Sequence, residues 1–140
     1  MKRGHCLCGE VSFEYEGPEL FRGHCHCESC RRQTASPFTT FMGVPDGAWR
    51  WTGREPAFYV SSPGRRRYFC PTCGAPVAFT DEAQPGEIHF YAALLEDHTD
   101  FVPEIHFHDE ERVSWIELSD DLPRRQGSAI TDTAPEKGEP

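Results

Sequence analysis

The seven cysteines of the chain fall into three short clusters, and none stands alone. They form a C-x-C at residues 6–8, a C-x-C-x2-C at residues 25–30 and a C-x2-C at residues 70–73. Two thiolates on one tight turn can reach adjacent corners of a tetrahedron, the geometry that zinc prefers. Gly9 and Gly74 follow two of the clusters and free the backbone to bring amide groups near the sulfurs. The pattern therefore indicates zinc ligation.

The odd number of cysteines fits one closed site with four ligands and one open site with three. Spacing alone does not fix which cluster joins which. We choose the first and third clusters for the closed, structural site because the second can supply three ligands without borrowing. The closed site, called here the four-cysteine cluster, comprises Cys6, Cys8, Cys70 and Cys73. The open, catalytic site, called here the three-cysteine cluster, comprises Cys25, Cys27 and Cys30.

Three other interpretations of the cysteines fit the pattern less well. They could be small buried side chains, but such tight clustering is typical of metal ligands. Iron–sulfur ligation also uses C-x2-C, although the chain lacks the four-cysteine run of a ferredoxin. A redox pair normally opens a helix in a strand–helix–strand unit, and the sequence does not predict one.

An open site with three thiolates favours thiol chemistry over hydrolysis. Three thiolates outweigh the zinc charge, which makes the centre a weak Lewis acid for activating water. A sulfur-rich zinc suits a further thiol, held as the nucleophilic thiolate. Arg31 and Arg32 follow the ligand loop and could bind a substrate carboxylate, although a solvated pair is the alternative. The side chain of His26, between two ligands, is expected to point away from the metal.

The sequence predicts that the secondary-structure elements positioning these residues form an all-β domain with few short helical turns. Glycines and prolines, twelve of each, punctuate short apolar runs along 140 residues. Residues 27–34 are the best helical candidate, Trp115 is expected in the core, and the run Arg65-Arg66-Arg67 is expected on an exposed hairpin edge. Residues 1–123 are predicted to form one domain and residues 124–140 a disordered tail. The candidate strands are residues 11–15, 38–44, 49–52, 56–61, 66–69, 76–80, 87–92, 103–107 and 114–118.

Charge and hydropathy exclude several function classes. The formal charge of −9 argues against a nucleic-acid partner. No stretch approaches the roughly 20 apolar residues of a membrane helix, and no apolar run follows the basic start as in a secretory signal. We therefore expect a cytoplasmic protein in a reducing compartment, without disulfides.

With these residues in view, the chain resembles the glutathione-dependent formaldehyde-activating enzyme family, which also includes centromere protein V. The resemblance extends from about residue 4 to residue 123. It is carried by GHCLCGEVSF at residues 4–13, CHCESCRR at residues 25–32, FCPTCG at residues 69–74, PEIH at residues 103–106, Trp115 and DDLP at residues 120–123.

The resemblance implies an Mss4-like fold, in which β-sheets are built around two zinc ions, one structural and one catalytic. It implies the same division of the cysteines as the count does. It also implies a carbon–sulfur lyase, similar to S-(hydroxymethyl)glutathione synthase, whose partners are a glutathione-like thiol and a formaldehyde-like aldehyde. The alternative is a non-catalytic zinc-binding module that recognises a protein or a small thiol.

Two departures from the family pattern bear on the substrate. The family often has glycine where this chain has Ala35, directly after the helical candidate. The segment at residues 93–97, Ala-Leu-Leu-Glu-Asp, stands where the family usually reads Gly-x-Leu-Asp-Asp. We expect the first change to affect the backbone beside the catalytic site.

Overall fold

The computed structural model describes residues 1–128 and confirms the all-β prediction. One α-helix, α1 (Glu28–Thr34), and two short 3-10 turns, Ala92–Leu94 and Asp109–Glu111, accompany the strands. None of the helices in these residues is long and apolar enough to cross a membrane. The strands are β1 (Lys2–His5), β2 (Ser12–Tyr15), β3 (Phe21–Cys25), β4 (Thr39–Pro45), β5 (Trp49–Trp51), β6 (Ala57–Ser62), β7 (Arg65–Phe69), β8 (Pro76–Asp81), β9 (Glu87–Tyr91) and β10 (Ile105–Phe107).

The chain divides into two compact units. The first contains Met1–Phe21 and Met42–Phe101, and the second contains Arg22–Phe41 and the described residues from Val102 onward. The first unit holds the four-cysteine cluster and the second holds the three-cysteine cluster.

The first unit is an antiparallel framework around an aromatic core. Strands β1, β2 and β5 form one sheet in that order, and β4, β9, β8, β7 and β6 follow one another in the other. The rings of Phe13 and Phe90 stack with centroids 4.0 Å apart. Gly4 lies opposite Phe13 in the β1–β2 register, where a Cβ atom would stand 2.4 Å from the ring. Glycine at this position therefore lets the two strands approach closely enough to bury the ring.

The second unit places β3 between β10 and the start of β4. Strand β10 runs parallel to β3, with His106 opposite His24 and Phe107 opposite Cys25. The chain leaves β3 directly into α1, so a strand end and a helix start lie side by side. Beyond residue 123, His106 forms a bridge with Arg124, whereas residues 129–140 of the predicted tail lie outside the described residues.

Most candidate strands coincide with observed ones, and the helical candidate corresponds to α1. The strand predicted at residues 114–118 is wrong, because this segment forms a turn and then irregular chain. Trp115 was expected in the core, yet it is 72% exposed. Strands β1 and β3 were not predicted, since their sequences KRGH and FRGHC carry few apolar residues.

The arginine run at residues 65–67 also departs from its prediction. It lies on β7, which is paired on both sides with β6 and β8 rather than forming an edge. Arg67 is 2% exposed, and its guanidinium carbon stands 4.7 Å from the centre of the Phe79 ring. A guanidinium can be buried here because the aromatic face and hydrogen bonds such as that to Ser61 Oγ replace water.

Candidate metal centres

The four-cysteine cluster is built from two turns with the same backbone pattern. One follows β1 and the other connects β7 to β8. In each, the first cysteine donates its N–H to a carbonyl five residues on, from Cys6 to Val11 and from Cys70 to Ala75. In each, a glycine with φ near +80° donates its N–H to the carbonyl of that cysteine. The distance is 3.1 Å from Gly9 to Cys6 and 2.8 Å from Gly74 to Cys70. Gly9 and Gly74 are required here because only glycine adopts this φ without strain.

The sulfurs of this cluster have the spacing of ligands around one ion. The Sγ atom of Cys8 lies 3.6 Å from that of Cys6 and 3.7 Å from that of Cys70. A tetrahedral zinc with sulfurs at about 2.3 Å separates its ligands by about 3.8 Å, so the donor set fits. None of the seven cysteines, all of which lie within the described residues, forms a disulfide bond.

Backbone amides prepare part of the four-cysteine cluster for ligation. The N–H groups of Thr72 and Cys73 approach the Cys70 sulfur at 3.4 and 3.5 Å. The backbone N–H of Cys73 is the main cause that lowers the pKa of Cys70, and that of Ala75 lowers the pKa of Cys73 to about 6. For Cys8 the backbone N–H of Glu10 acts in the same direction, but burial and the neighbouring sulfurs raise its pKa to about 12. The cluster thus concentrates negative charge that a cation would neutralise.

The three-cysteine cluster lies at the junction of β3 and α1. Cys25 ends β3, Cys27 is the N-cap of α1, and Cys30 lies in its first turn. Their sulfurs lie within 4.8 Å of one another, and the Cys30 N–H donates to the Cys27 sulfur at 3.3 Å. The helix start therefore holds two of the sulfurs, and the strand end holds the third.

Burial distinguishes this second cluster from the first. The exposed fractions of Cys25, Cys27 and Cys30 are 9%, 0% and 4%, so the sulfurs lie below the surface. The pKa of Cys25 is raised, first by its hydrogen bond with Cys27 and then by burial among the other sulfurs. Three adjacent buried thiols match the donor set of a soft ion, which would take the place of their protons.

The two arginines proposed as substrate ligands have different surroundings. Arg31 Nε donates to the backbone carbonyl of His26 at 3.3 Å, which holds the side chain against the ligand loop. Arg32 Nε donates to Glu28 Oε2 at 2.7 Å on the surface of α1, as in the solvated alternative. Arg31 therefore lies nearer to the three-cysteine loop than a free surface residue would.

A hydrogen-bonded chain of histidines adjoins the three-cysteine cluster. His26 Nε2 lies 2.8 Å from His106 Nδ1, and His106 Nε2 lies 3.0 Å from the carboxylate of Asp120. The hydrogen bond from His106 is the main cause that lowers the pKa of Asp120. Burial, followed by the nearby His106, lowers the pKa of His26 to about 4, which keeps its ring neutral at pH 7.

The carboxylate of Asp120, at the end of this chain, determines which ring nitrogens carry the protons. Because a carboxylate only accepts, His106 donates to it from Nε2; with a neutral His106 ring, Nδ1 then accepts and fixes the proton of His26 on Nε2. His26 Nδ1 is then an acceptor, buried and without a hydrogen-bond partner in the described residues. Sequence reasoning did not link these residues, although the family segments at 103–106 and 120–123 contain His106 and Asp120.

The comparison with protein families gives one extensive match. The model of the glutathione-dependent formaldehyde-activating enzyme family matches residues 1–111. This range includes every cysteine of both clusters.

A curated relative and a solved structure are also similar. An uncharacterized lyase from Schizosaccharomyces pombe is 33% identical over 78 residues, which are 54% of this chain and 55% of the relative. The chain thus matches about half the length of that relative. A crystal structure of a Rhodobacter sphaeroides protein from a structural genomics programme has a TM-score of 0.60 and 20% identity over 88% of this chain and 99% of its own. That similarity shows a shared fold.

Proposed function

The chain belongs to the glutathione-dependent formaldehyde-activating enzyme family, and we propose that it is a zinc-dependent carbon–sulfur lyase-type enzyme. It would join a small glutathione-like thiol to a formaldehyde-like aldehyde. The thiolate sulfur adds to the carbonyl carbon, the carbon–oxygen double bond becomes single, and the oxygen takes up a proton. The product is a hydroxymethyl thioether. The lyase name of the Schizosaccharomyces pombe relative agrees with this class of reaction.

The observation that carries the proposal is the set of three convergent sulfurs, from Cys25, Cys27 and Cys30, on a strand–helix junction. Zinc bound there would hold the incoming thiol as its thiolate at neutral pH. The chain's own part is to fix this ligand set, and the Cys30 N–H does so by donating to the Cys27 sulfur. The ordered chain from Asp120 through His106 orients His26 beside the same loop.

Two further roles complete the proposal. Arg31 and Arg32 would bind a carboxylate of the thiol, with Arg31 already held at the loop by the His26 carbonyl. Arg32 would have to leave its partner Glu28, which is feasible because an exposed ion pair contributes at most about 1 kcal/mol. The four-cysteine cluster would hold a second, structural zinc whose binding contributes folding free energy.

The experiment compares product formation with the spontaneous reaction. Purified, zinc-loaded protein is mixed with glutathione and formaldehyde, and the adduct is followed by NMR against a protein-free sample. We expect Cys27→Ser to lose the acceleration and keep its circular dichroism, and Cys73→Ser to lose its fold. Equal rates with and without wild-type protein would refute the proposed reaction.

The burial of the three-cysteine cluster favours one alternative, a zinc-binding module without catalysis. Cobalt substitution separates the two. If the cobalt spectrum of the three-cysteine cluster changes when glutathione is added, the site accepts a thiol. An unchanged spectrum, together with a spontaneous rate, would leave the binding module as the function.

A further inference from the structure

A second group of possible ligands lies on the turn that follows β10. His108, Glu110 and Glu111 bring one ring nitrogen and two carboxylate oxygens within 4.8 Å of one another. His108 Nδ1 lies 3.2 Å from Glu111 Oε2 and 3.6 Å from Glu110 Oε2. The histidine is 2% exposed, so its ring nitrogen faces the two carboxylates in a largely water-free position.

A hydrogen bond with a backbone group fixes the position of each of these three residues. Glu111 Oε1 accepts the N–H of Glu28 at 3.0 Å, and Glu110 Oε1 accepts the N–H of Gly127 at 3.1 Å. The His108 N–H donates to the Gly127 carbonyl at 2.9 Å. Each carboxylate therefore has one oxygen in use, and its other oxygen points toward the ring nitrogen.

The atoms that face one another are not hydrogen-bonded. His108 Nδ1 and Glu111 Oε2 are both buried, and neither has a hydrogen-bond partner in the described part of the chain. A direct bond between a charged imidazole and a carboxylate would be about 2.7–2.9 Å long and nearly linear. With a neutral ring the two buried atoms, 3.2 Å apart, lack a partner, and an ion bound to both would satisfy them; with a protonated ring they form an ion pair of poor hydrogen-bond geometry.

The spacing of these atoms matches that of neighbouring ligands on one metal ion. Nitrogen and oxygen ligands lie about 2.0–2.2 Å from zinc, which places adjacent tetrahedral ligands roughly 3.3–3.6 Å apart. The observed separations of 3.2 and 3.6 Å agree with that range. The backbone of His108 has φ +53°, an unfavourable value for a residue with a side chain, and this conformation is part of the arrangement that presents the ring.

We propose that His108, Glu110 and Glu111 form a third metal site, for a divalent first-row transition ion such as zinc or cobalt. The two carboxylates balance the charge of the ion, and the imidazole selects transition metals over magnesium and calcium. One third of the Glu110 side chain is exposed, which leaves room for water to complete the coordination. The site uses nitrogen and oxygen ligands rather than sulfur, and it does not depend on the proposed enzymatic reaction.

A metal at this position would fasten three segments of the second unit together. Its ligands lie on the turn after β10, while their outer oxygens already bind the start of α1 at Glu28 and the later segment at Gly127. The proposed role is therefore structural, at the N-terminal end of α1, the helix that carries Cys30.

The experiment uses the full chain, with any polyhistidine tag removed and only two equivalents of zinc added, which the sulfur ligands of the two cysteine clusters take up first. Cobalt is then titrated and followed by calorimetry and by absorption. We expect one equivalent to bind with weak visible bands and without the strong near-ultraviolet charge-transfer band of cobalt–thiolate ligation. Cobalt that enters a cysteine cluster would show that thiolate band, so the two kinds of site are distinguishable.

The variant Glu111→Gln is the sharpest test. Its Oε1 can still accept the N–H of Glu28, while the unsatisfied oxygen becomes an amide nitrogen that does not ligate. We expect cobalt affinity to fall at least about tenfold. Glu117→Gln is the matched control, because it removes the same charge from an exposed residue of the same unit. Should Glu111→Gln not fold by circular dichroism, Glu110→Gln makes the equivalent change beside Gly127.

Two outcomes would overturn the proposal. One is that wild-type protein carrying two equivalents of zinc takes up no cobalt, or takes it up only with thiolate bands. The other is that the glutamine variants at 110 or 111 bind cobalt as tightly as wild type and Glu117→Gln do, which would make the binding adventitious.

Discussion

Replacing Ala35 with glycine should stabilise the protein, because the residue that ends α1 adopts a left-handed conformation. Its φ and ψ are 52° and 41°, and its N–H donates to the carbonyl of Arg31. Glycine is the residue that most often ends helices in this way. Ala35 therefore adopts a backbone conformation that favours glycine.

The magnitude follows from two opposing terms. The left-handed conformation costs a residue with a side chain about 1–2 kcal/mol, and Ala35→Gly removes that cost. Glycine also gives the unfolded chain more conformational freedom, which costs about 0.4–1 kcal/mol. Ala35 is exposed, so little packing is lost. The free energy of unfolding should rise by about 1 kcal/mol, or roughly 3–4 °C in Tm for a chain of this length.

The assay is equilibrium urea unfolding at a fixed excess of zinc, since bound metal contributes to stability. Ala83→Gly is the control, because Ala83 is exposed in a turn and is not one of the residues with positive φ. It should destabilise the protein by about 0.4–1 kcal/mol. If Ala35→Gly were destabilising by a similar amount, the assignment of strain to Ala35 would be wrong.

Three further outcomes are expected of side chains outside the clusters. Burial would raise the pKa of Glu19, but hydrogen bonds, first that from Tyr15, lower it below 4.5. The free energy of unfolding should therefore decrease as the pH is lowered below about 4.5. Urea unfolding at several pH values should show a smaller decrease in Glu19→Gln. Arg67→Lys should lose about 1–2 kcal/mol of unfolding free energy because lysine lacks the planar group that covers Phe79, and a loss below 0.5 kcal/mol would contradict that role. Trp115→Ala should change stability by less than about 0.5 kcal/mol in the same assay, since the ring is 72% exposed.

Local signals in the sequence predicted the cysteine clusters and most strands. The spacing of cysteines within a turn and the alternation within β2 depend on neighbours in the chain, so they can be read without knowing the fold. Strand β3, with the sequence FRGHC, gives no such signal. It is a strand because β10 and β4 supply its hydrogen bonds, and a periodicity argument does not detect a partner 82 residues away.

The same limit explains the two wrong predictions about aromatic and basic residues. Residues 114–118 include the aromatic and β-branched residues that suit a strand, but the structure shows no ladder for them among the described residues, and Trp115 stays exposed. Arg67 looks like an edge residue by its charge. Its burial depends on Phe79, which faces it across the β7–β8 register. Residue type alone, aromatic for Trp115 and charged for Arg67, therefore predicted the wrong environment for both residues.

The hydrogen-bonded chain of His26, His106 and Asp120 depends on contacts between distant parts of the sequence, unlike the spacing within a cysteine cluster. His24 and His26 are two residues apart, and His106 is the register partner of His24 on the parallel strand β10. This pairing brings His106 to within 2.8 Å of His26, and Asp120 then closes the chain from a segment outside the strands. None of these residues gives a signal of its own in the sequence. The parallel pairing of β3 with β10 is what brings them into one hydrogen-bonded chain.

The two cysteine clusters therefore differ in what surrounds their sulfurs. Turns of the same pattern bring three backbone N–H groups to Cys6 and Cys70 of the four-cysteine cluster. Such amides stabilise thiolates and close the site in polar backbone, which suits a structural role. At the three-cysteine cluster, hydrogen bonds with the other two sulfurs and then burial raise the pKa of Cys25. The hydrogen bond with Cys25 lowers the pKa of Cys27, but the hydrogen bond with Cys30 and burial outweigh it and raise that pKa. The Cys25 and Cys27 thiols therefore resist losing their protons, and a bound ion would have to stabilise their thiolates, as the proposed chemistry at the three-cysteine cluster requires.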